Sequence, residues 1–190
     1  MPHGMNIHSL DLSLGSASGS VHGDVSDLMN GGNANLSLGF SSSDAAQTVK
    51  LLLPRLSALS SEMLAGSATV SASLTGRLDH NIRLENIAID LEADLLALKA
   101  NGGLDLLSQD SPKLISSAEL EVSVKTKNFQ PLVRAFGGRS AFSGPARAEG
   151  ILRGSLNDFR LENIELAATS EFVQLEGKGR LEKIITSERH

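Results

Sequence analysis

The chain has 190 residues and contains no cysteine, tryptophan or tyrosine; its aromatic side chains are six phenylalanines. Without cysteine there is no disulfide framework and no thiolate metal site. That absence suits an oxidising compartment without requiring one. The net charge is −5 and no cluster of Lys or Arg stands out. A nucleic-acid surface needs a basic stripe or stacking rings, so no nucleic-acid partner is expected. Long apolar runs are missing too. Leu51-Leu52-Leu53 and Leu95-Leu96-Ala97-Leu98 fall far short of the roughly 20 residues of a membrane-spanning helix. The first residues lack the charged and apolar organisation of a signal peptide, and Met1-Pro2-His3-Gly4 ahead of Met5 reads as an appended start.

What is present is aliphatic and periodic. With 41% hydrophobic and 21% charged residues, general disorder is excluded. A chain of this length buries roughly 70% of its unfolded surface, and one continuous domain over 1–190 is expected. Arg83-Leu84-Glu85-Asn86-Ile87 returns letter for letter as Arg160-Leu161-Glu162-Asn163-Ile164, an offset of 77 residues (160 − 83). Leu74-Thr75-Gly76-Arg77-Leu78 is echoed by Leu152-Arg153-Gly154-Ser155-Leu156 at an offset of 78 (154 − 76). One residue is therefore lost in the turn before Arg160. Turns absorb such changes, whereas a slip within a strand would swap its faces. The repeat divides the chain into a partial unit at 7–64, a full unit at 66–138 and a partial unit at 144–184. Beginning and ending inside a unit reads as an excerpt of a longer array.

Within each unit the period is two. Ile87, Ile89, Leu91 and Ala93 alternate with Ala88, Asp90, Glu92 and Asp94; Leu120, Val122 and Val124 alternate with Glu119, Glu121, Ser123 and Lys125. Such alternation predicts strands with one apolar and one solvated face. Strands are expected at 7–15, 19–27, 35–40, 67–76, 84–94, 96–106, 117–126, 145–153, 160–169 and 171–182. Asn30-Gly31-Gly32 predicts a hairpin turn. Two helical segments interrupt the strands. Asp44-Ala45-Ala46-Gln47 opens the first, with Val49, Leu52, Leu53, Leu56, Leu59 and Met63 at helical spacing and a break at Pro54. The second runs from Phe129 to Phe136, with Pro131 near its start and Gly137-Gly138 as its stop.

The fold class is therefore mainly β: a broad, twisted antiparallel sheet of about ten strands with two short helical insertions. Two short helices cannot cover so wide an apolar face, so the sheet must fold over as a U-shaped groove, a sandwich or a barrel. Small residues stud that face: Ala68, Ala72, Ala93, Ala100, Ala146, Ala148, Ala168 and Gly177. They leave room that acyl chains can occupy. The competing expectation is a structural or adhesive β-repeat with a dry core and no ligand.

A catalytic constellation is not discernible, and the chain is expected not to be an enzyme. His3, His8, His22, His80 and His190 lack metal-ligand spacing. His8 and His22 can meet across adjacent strands, but as solvated residues. Asp90, Glu92 and Asp94, with Glu85 nearby, carry oxygens of the kind calcium binds, yet alternating carboxylates are ordinary on a wet strand face. Gly15-Ser16-Ala17-Ser18-Gly19 is no nucleophile elbow, which needs serine centred between its glycines. No metal and no cofactor is expected.

The paired L-x-G-x-L strand ends, the R-L-E-N-I strand starts and the short helices at Ser57–Leu64 and Pro131–Phe136 resemble the AsmA-like family, the periplasmic repeat proteins of Gram-negative bacteria that include the TamB and YhdP relatives. The resemblance covers most of residues 7–182. It implies a periplasmic region of an inner-membrane-anchored protein, attached through an anchor segment these residues lack. It also implies a non-catalytic lipid-binding or lipid-transfer role in phospholipid transport and outer-membrane assembly. Phospholipid or another acyl-chain ligand is then the expected partner. The expected tail-contacting residues are Leu10, Leu12, Leu36, Leu38, Val70, Leu74, Ile87, Ile89, Leu91, Leu98, Leu120, Val122, Val124, Ile164, Leu166 and Leu175. Unpaired first and last strands add an expectation of edge-to-edge self-association.

Overall fold

The computed structural model describes residues 4–46, 64–107, 115–135, 139, 143–155, 158–171 and 173–182. Ten strands follow one another in space as in sequence: β1 (Met5–Leu14), β2 (Ala17–Ser26), β3 (Asn33–Ser42), β4 (Gly66–Arg77), β5 (Asn81–Ala93), β6 (Leu96–Leu107), β7 (Ile115–Thr126), β8 (Ala146–Ser155), β9 (Asp158–Thr169) and β10 (Gln174–Leu181). Every neighbouring pair is antiparallel. One helix, α1 (Gln130–Ala135), lies between β7 and β8. The ten expected strands all form. The first helical segment begins at Ala45; its continuation, the break at Pro54 and the Gly137-Gly138 stop lie outside the described residues.

Strand-to-helix exits are built alike at both insertions. The Ser42 hydroxyl accepts from the Asp44 amide, and the Thr126 hydroxyl accepts from the Asn128 amide, each at 3.1 Å. Both side chains are buried, so the bonds satisfy polar groups where the apolar face ends. The Asn128 side chain in turn accepts the Gln130 amide at 3.0 Å and caps α1. The turn expected at Asn30-Gly31-Gly32 is wider than a two-residue hairpin. A short 3-10 segment (Leu28–Asn30) sits between Asp27 at φ 52° and Gly31 at φ 95°.

The repeated R-L-E-N-I stretch proves to be a bulge. Asn86 and Asn163 both adopt φ 51°, and the ladders slip by one residue at both places, between Leu84 and Ile87 and opposite Glu149 and Ile151. The same slip occurs in β1 between Ile7 and Leu10, at Ser9, which lies 77 residues before Asn86. An extra residue would flip the faces of a regular strand; the bulge absorbs it. It explains why Leu84 and Ile87, of opposite parity, share one face: Leu84 opposes Leu104 and Ile87 opposes Gly102, two places along β6. Asparagine tolerates this left-handed backbone better than a branched residue does. Asn86→Val is therefore expected to destabilise the sheet by about 1–2 kcal/mol, and Asn86→Gly to be near neutral. Thermal unfolding of the two variants checks the difference.

The glycines of the two L-x-G-x-L ends also serve geometry. Gly76 (φ 110°) and Gly154 (φ 126°) carry strands so close that a methyl group would collide with the carbonyl oxygens of Asn81 and Asp158. Glycine in a strand often marks such a close approach of another backbone.

The sheet is a single open layer. Among the described residues β1 pairs only with β2 and β10 only with β9, so it does not close as a barrel. The described strands pack against their sequence neighbours within this one sheet, not against a second layer of strands. Dry packing is concentrated where the helical insertions meet the sheet: Ala45, Ala46 and Leu64 close over Ala68, Leu91 and Leu96, with Leu98, Val124 and Leu132 around them. The structure thus takes the groove form of the expected architecture rather than the sandwich.

Candidate functional site

Register places all sixteen expected tail-contacting residues on one face. Leu12 heads a row that runs through Gly19, Phe40, Val70, Ile89, Ala100 and Val122 to Gly150, each residue opposite the next. A parallel row joins Leu91, Leu98, Val124, Ala148, Leu166 and Gly177. Directly opposed residues share a face. Leu36 with Leu74, Ile87 with Leu120 across Gly102, and Leu10, Leu38, Ile164 and Leu175 fall in neighbouring rows of that face.

Exposure sorts these residues into three groups. Ile87 and Leu91 are buried. Leu10, Leu12, Leu166 and Leu175 are exposed, Leu12 by 63%. The remaining ten, Leu36, Leu38, Val70, Leu74, Ile89, Leu98, Leu120, Val122, Val124 and Ile164, are half-buried. Leu91 is better assigned to the dry cluster under the helical insertions than to an accessible surface. A half-buried aliphatic row continuous across a sheet is an apolar surface of unusual extent for a water-facing molecule.

At one end the face deepens into a cleft of about 410 Å³, within the range of roughly 300–1,000 Å³ typical of small-molecule sites. Its roof is α1, through Leu132 and Val133, preceded by Phe129; its floor is Val124, Ala148, Leu166, Ala168 and Leu175. Alanines 146, 148 and 168 create the space. Larger residues there would fill the gap between helix and sheet. Of the sixteen residues, Val124, Leu166 and Leu175 meet in this cleft. The alanines, Phe129, Leu132, Val133 and Val173 were not among the expected contacts. Their signal in the sequence was the concentration of small residues on the strands after the second helix. Arg147 borders the cleft between Ala146 and Ala148, but its place opposite Lys125 and Ala167 puts its side chain on the charged face.

The opposite face is wet and charged. Arg83 reaches Asp105 at 2.7 Å, Lys99 reaches Asp90 at 2.7 Å, Arg153 bridges Glu119 at 2.7 Å and Glu162 at 3.2 Å, and Lys178 reaches Glu165 at 2.6 Å. Asp90 and Glu92 thus share Lys99. Among the described residues no group of three or more His, Asp or Glu side chains is placed to hold a metal. His22 stands opposite the bulge of His8 and Ser9, and both histidines are exposed.

These cross-strand pairs tune the carboxylates modestly. Hydrogen bonds from Arg83 and then Ser117 hold Asp105 below its ordinary range, Arg153 does the same to Glu119, and Lys178 to Glu165. A depressed carboxylate adds stability above its unfolded pKa of about 4 and loses it as pH falls through the folded value. Lys99 and Lys178 are raised by their hydrogen bonds to Asp90 and Glu165, so their contribution is present below about pH 10.4 and lost as pH rises beyond it. Stability is expected to be flat from about pH 5 to 9 and to fall at both extremes. All these pairs are solvent-exposed, so Lys99→Ala should leave the melting temperature almost unchanged. A melting series across pH and salt checks both statements.

Together, fold and site define a single-layered, ten-stranded antiparallel sheet with one apolar face, one charged face and an apolar cleft beneath a short helix. Comparison with protein-family models, curated proteins and solved structures returns no match for this chain.

Proposed function

We propose that the chain is a non-catalytic lipid-binding module that takes the acyl chains of a phospholipid, or of a similar ligand, along its apolar face. The single observation that carries this reading is an accessible aliphatic surface, continuous across the strands and ending in a 410 Å³ apolar cleft. Each methylene buried there contributes on the order of 0.8 kcal/mol. No bond need be made or broken, because a row of side chains without a polar interruption lets a tail slide rather than re-enter water. A charged head group stays in water at the rim of the sheet. The resemblance to the AsmA-like repeat proteins supports the same reading and adds a place for it: the periplasm, in a chain anchored to the inner membrane, on the route by which phospholipid reaches the outer membrane. The competing role, a dry structural repeat, fits only the cluster around Leu64, Ala68 and Leu91.

Titration with a fluorescent fatty acid, followed by native mass spectrometry of protein purified without detergent, tests the proposal. Saturable binding and a retained acyl adduct are expected. Ala148→Leu adds bulk to the cleft floor between Val124 and Leu166. It should leave the fold intact and weaken binding by about tenfold, the equivalent of losing two methylene contacts. Absence of any saturable binding in the unmodified chain overturns the reading.

A further inference from the structure

We propose that the cleft beneath α1 is a single-chain site: it takes one unbranched acyl chain of roughly sixteen carbons, methyl end first, and has no room for a second. This inference rests on the lipid-binding reading and narrows it to one place on the apolar face and one chain.

The repeat supplies the comparison. The strand exit at Thr126 matches the one at Ser42, and the bulge at Asn163 matches the one at Asn86. Gly144 (φ 151°) and Gly66 (φ 155°) also correspond, since a methyl group on either would collide with a carbonyl oxygen, of Thr169 or of Glu92. These landmarks align β3, β4, β5 and β6 with β7, β8, β9 and β10. Phe40, Val70 and Leu91 then correspond to Val124, Ala148 and Ala168, while Leu98 corresponds to another leucine, Leu175.

At each of the first three places the second unit carries less carbon on the same side of the sheet. In the first unit that side is dry: Leu91 is 7% exposed and packs beneath Ala45, Ala46 and Leu64. In the second unit the place of Leu91 holds Ala168, and the cleft opens above it. The roof does not refill the space. Phe129 follows Thr126 as Ala45 follows Ser42, yet about 410 Å³ remains. Ala148 and Ala168 lie on β8 and β9, each paired on both sides, so the hollow is internal to the sheet.

Size sets the occupant. An apolar cavity of about 150 Å³ holds a benzene ring of six carbons. By that measure about 410 Å³ holds roughly sixteen, one acyl chain rather than two. Charge sets the orientation. Among the described residues no charged side chain faces the cleft, because Arg147 turns to the other side. An anionic head group therefore stays outside and the methyl end enters.

Dissociation constants of saturated fatty acids of about eight to about twenty carbons, each held below its micelle threshold, test the inference on the whole chain. Affinity is expected to rise about fourfold per methylene and to level off near sixteen carbons, with one chain bound at saturation. Ala168→Leu restores the side chain of the first unit. It should move the plateau down by about three carbons and weaken binding of a sixteen-carbon acid about fiftyfold, leaving a ten-carbon acid and the melting temperature almost unchanged. Ala148→Val, a smaller restoration, should move the plateau the same way. Ala72→Leu, on the same face but outside the cleft, should leave it in place. Affinity that climbs past twenty carbons, two chains at saturation, or a plateau indifferent to Ala148→Val overturns the single-chain site and leaves lipid binding on the open face standing. Absence of saturable binding at every length overturns both.

Discussion

Ile89→Asp is expected to leave a folded sheet that no longer binds an acyl chain. Ile89 lies in the middle of the apolar face, opposite Val70 on one side and Ala100 on the other. It is half-buried in a single layer, so an aspartate there can turn its carboxylate to water and keeps its backbone ladder. The ligand has no such freedom. A tail crossing that row would have to bury a charge without a partner, a penalty that exceeds the gain from the neighbouring methylenes. Binding should weaken by at least a hundredfold while the melting temperature drops only slightly. Fatty-acid titration and thermal unfolding of the same preparation separate the two effects.

Leu91→Asp is expected to do the opposite, unfolding the protein. Leu91 is two residues further along the same strand and on the same face, yet it is 7% exposed, beneath Ala45, Ala46 and Leu64 and beside Leu96. A carboxylate there has neither water nor a cation, and a buried unpaired charge of this kind costs more than about 4 kcal/mol. That is a large part of the stability of an ordinary domain, about 5–15 kcal/mol. Circular dichroism should show loss of the cooperative transition, and Leu91→Ala should show a smaller loss of about 2–4 kcal/mol from the cavity it leaves. The contrast between neighbouring positions 89 and 91 divides the apolar face into an open part and a packed part.

Much of this is legible in the amino-acid sequence. Period-two alternation is a direct consequence of strand geometry, so rows such as Leu120, Val122 and Val124 could be assigned to one face from their spacing alone. The bulges were not legible as such. Their trace was the three-residue step from Leu84 to Ile87, which looks like an interrupted pattern until the left-handed Asn86 is seen to restore the face. Leu95 continues the parity of Ile87 to Ala93, yet it lies in the connection between β5 and β6. The cleft was hidden for a different reason. It depends on where α1 comes to rest over β7 to β10, and helix placement is a tertiary fact that local pattern does not encode. The alanines that make room for it were visible; the roof above them was not.

The absence of native cysteine also offers the most direct test of the central claim, that the middle of the apolar face is open to an acyl chain. A single Ile89→Cys variant is labelled with a polarity-sensitive dye under native conditions and titrated with a long-chain fatty acid. The account predicts that the folded protein takes up the label and that added fatty acid shifts its emission saturably to the blue. A thiol that reacts only after denaturation, or a label indifferent to fatty acid, would contradict it.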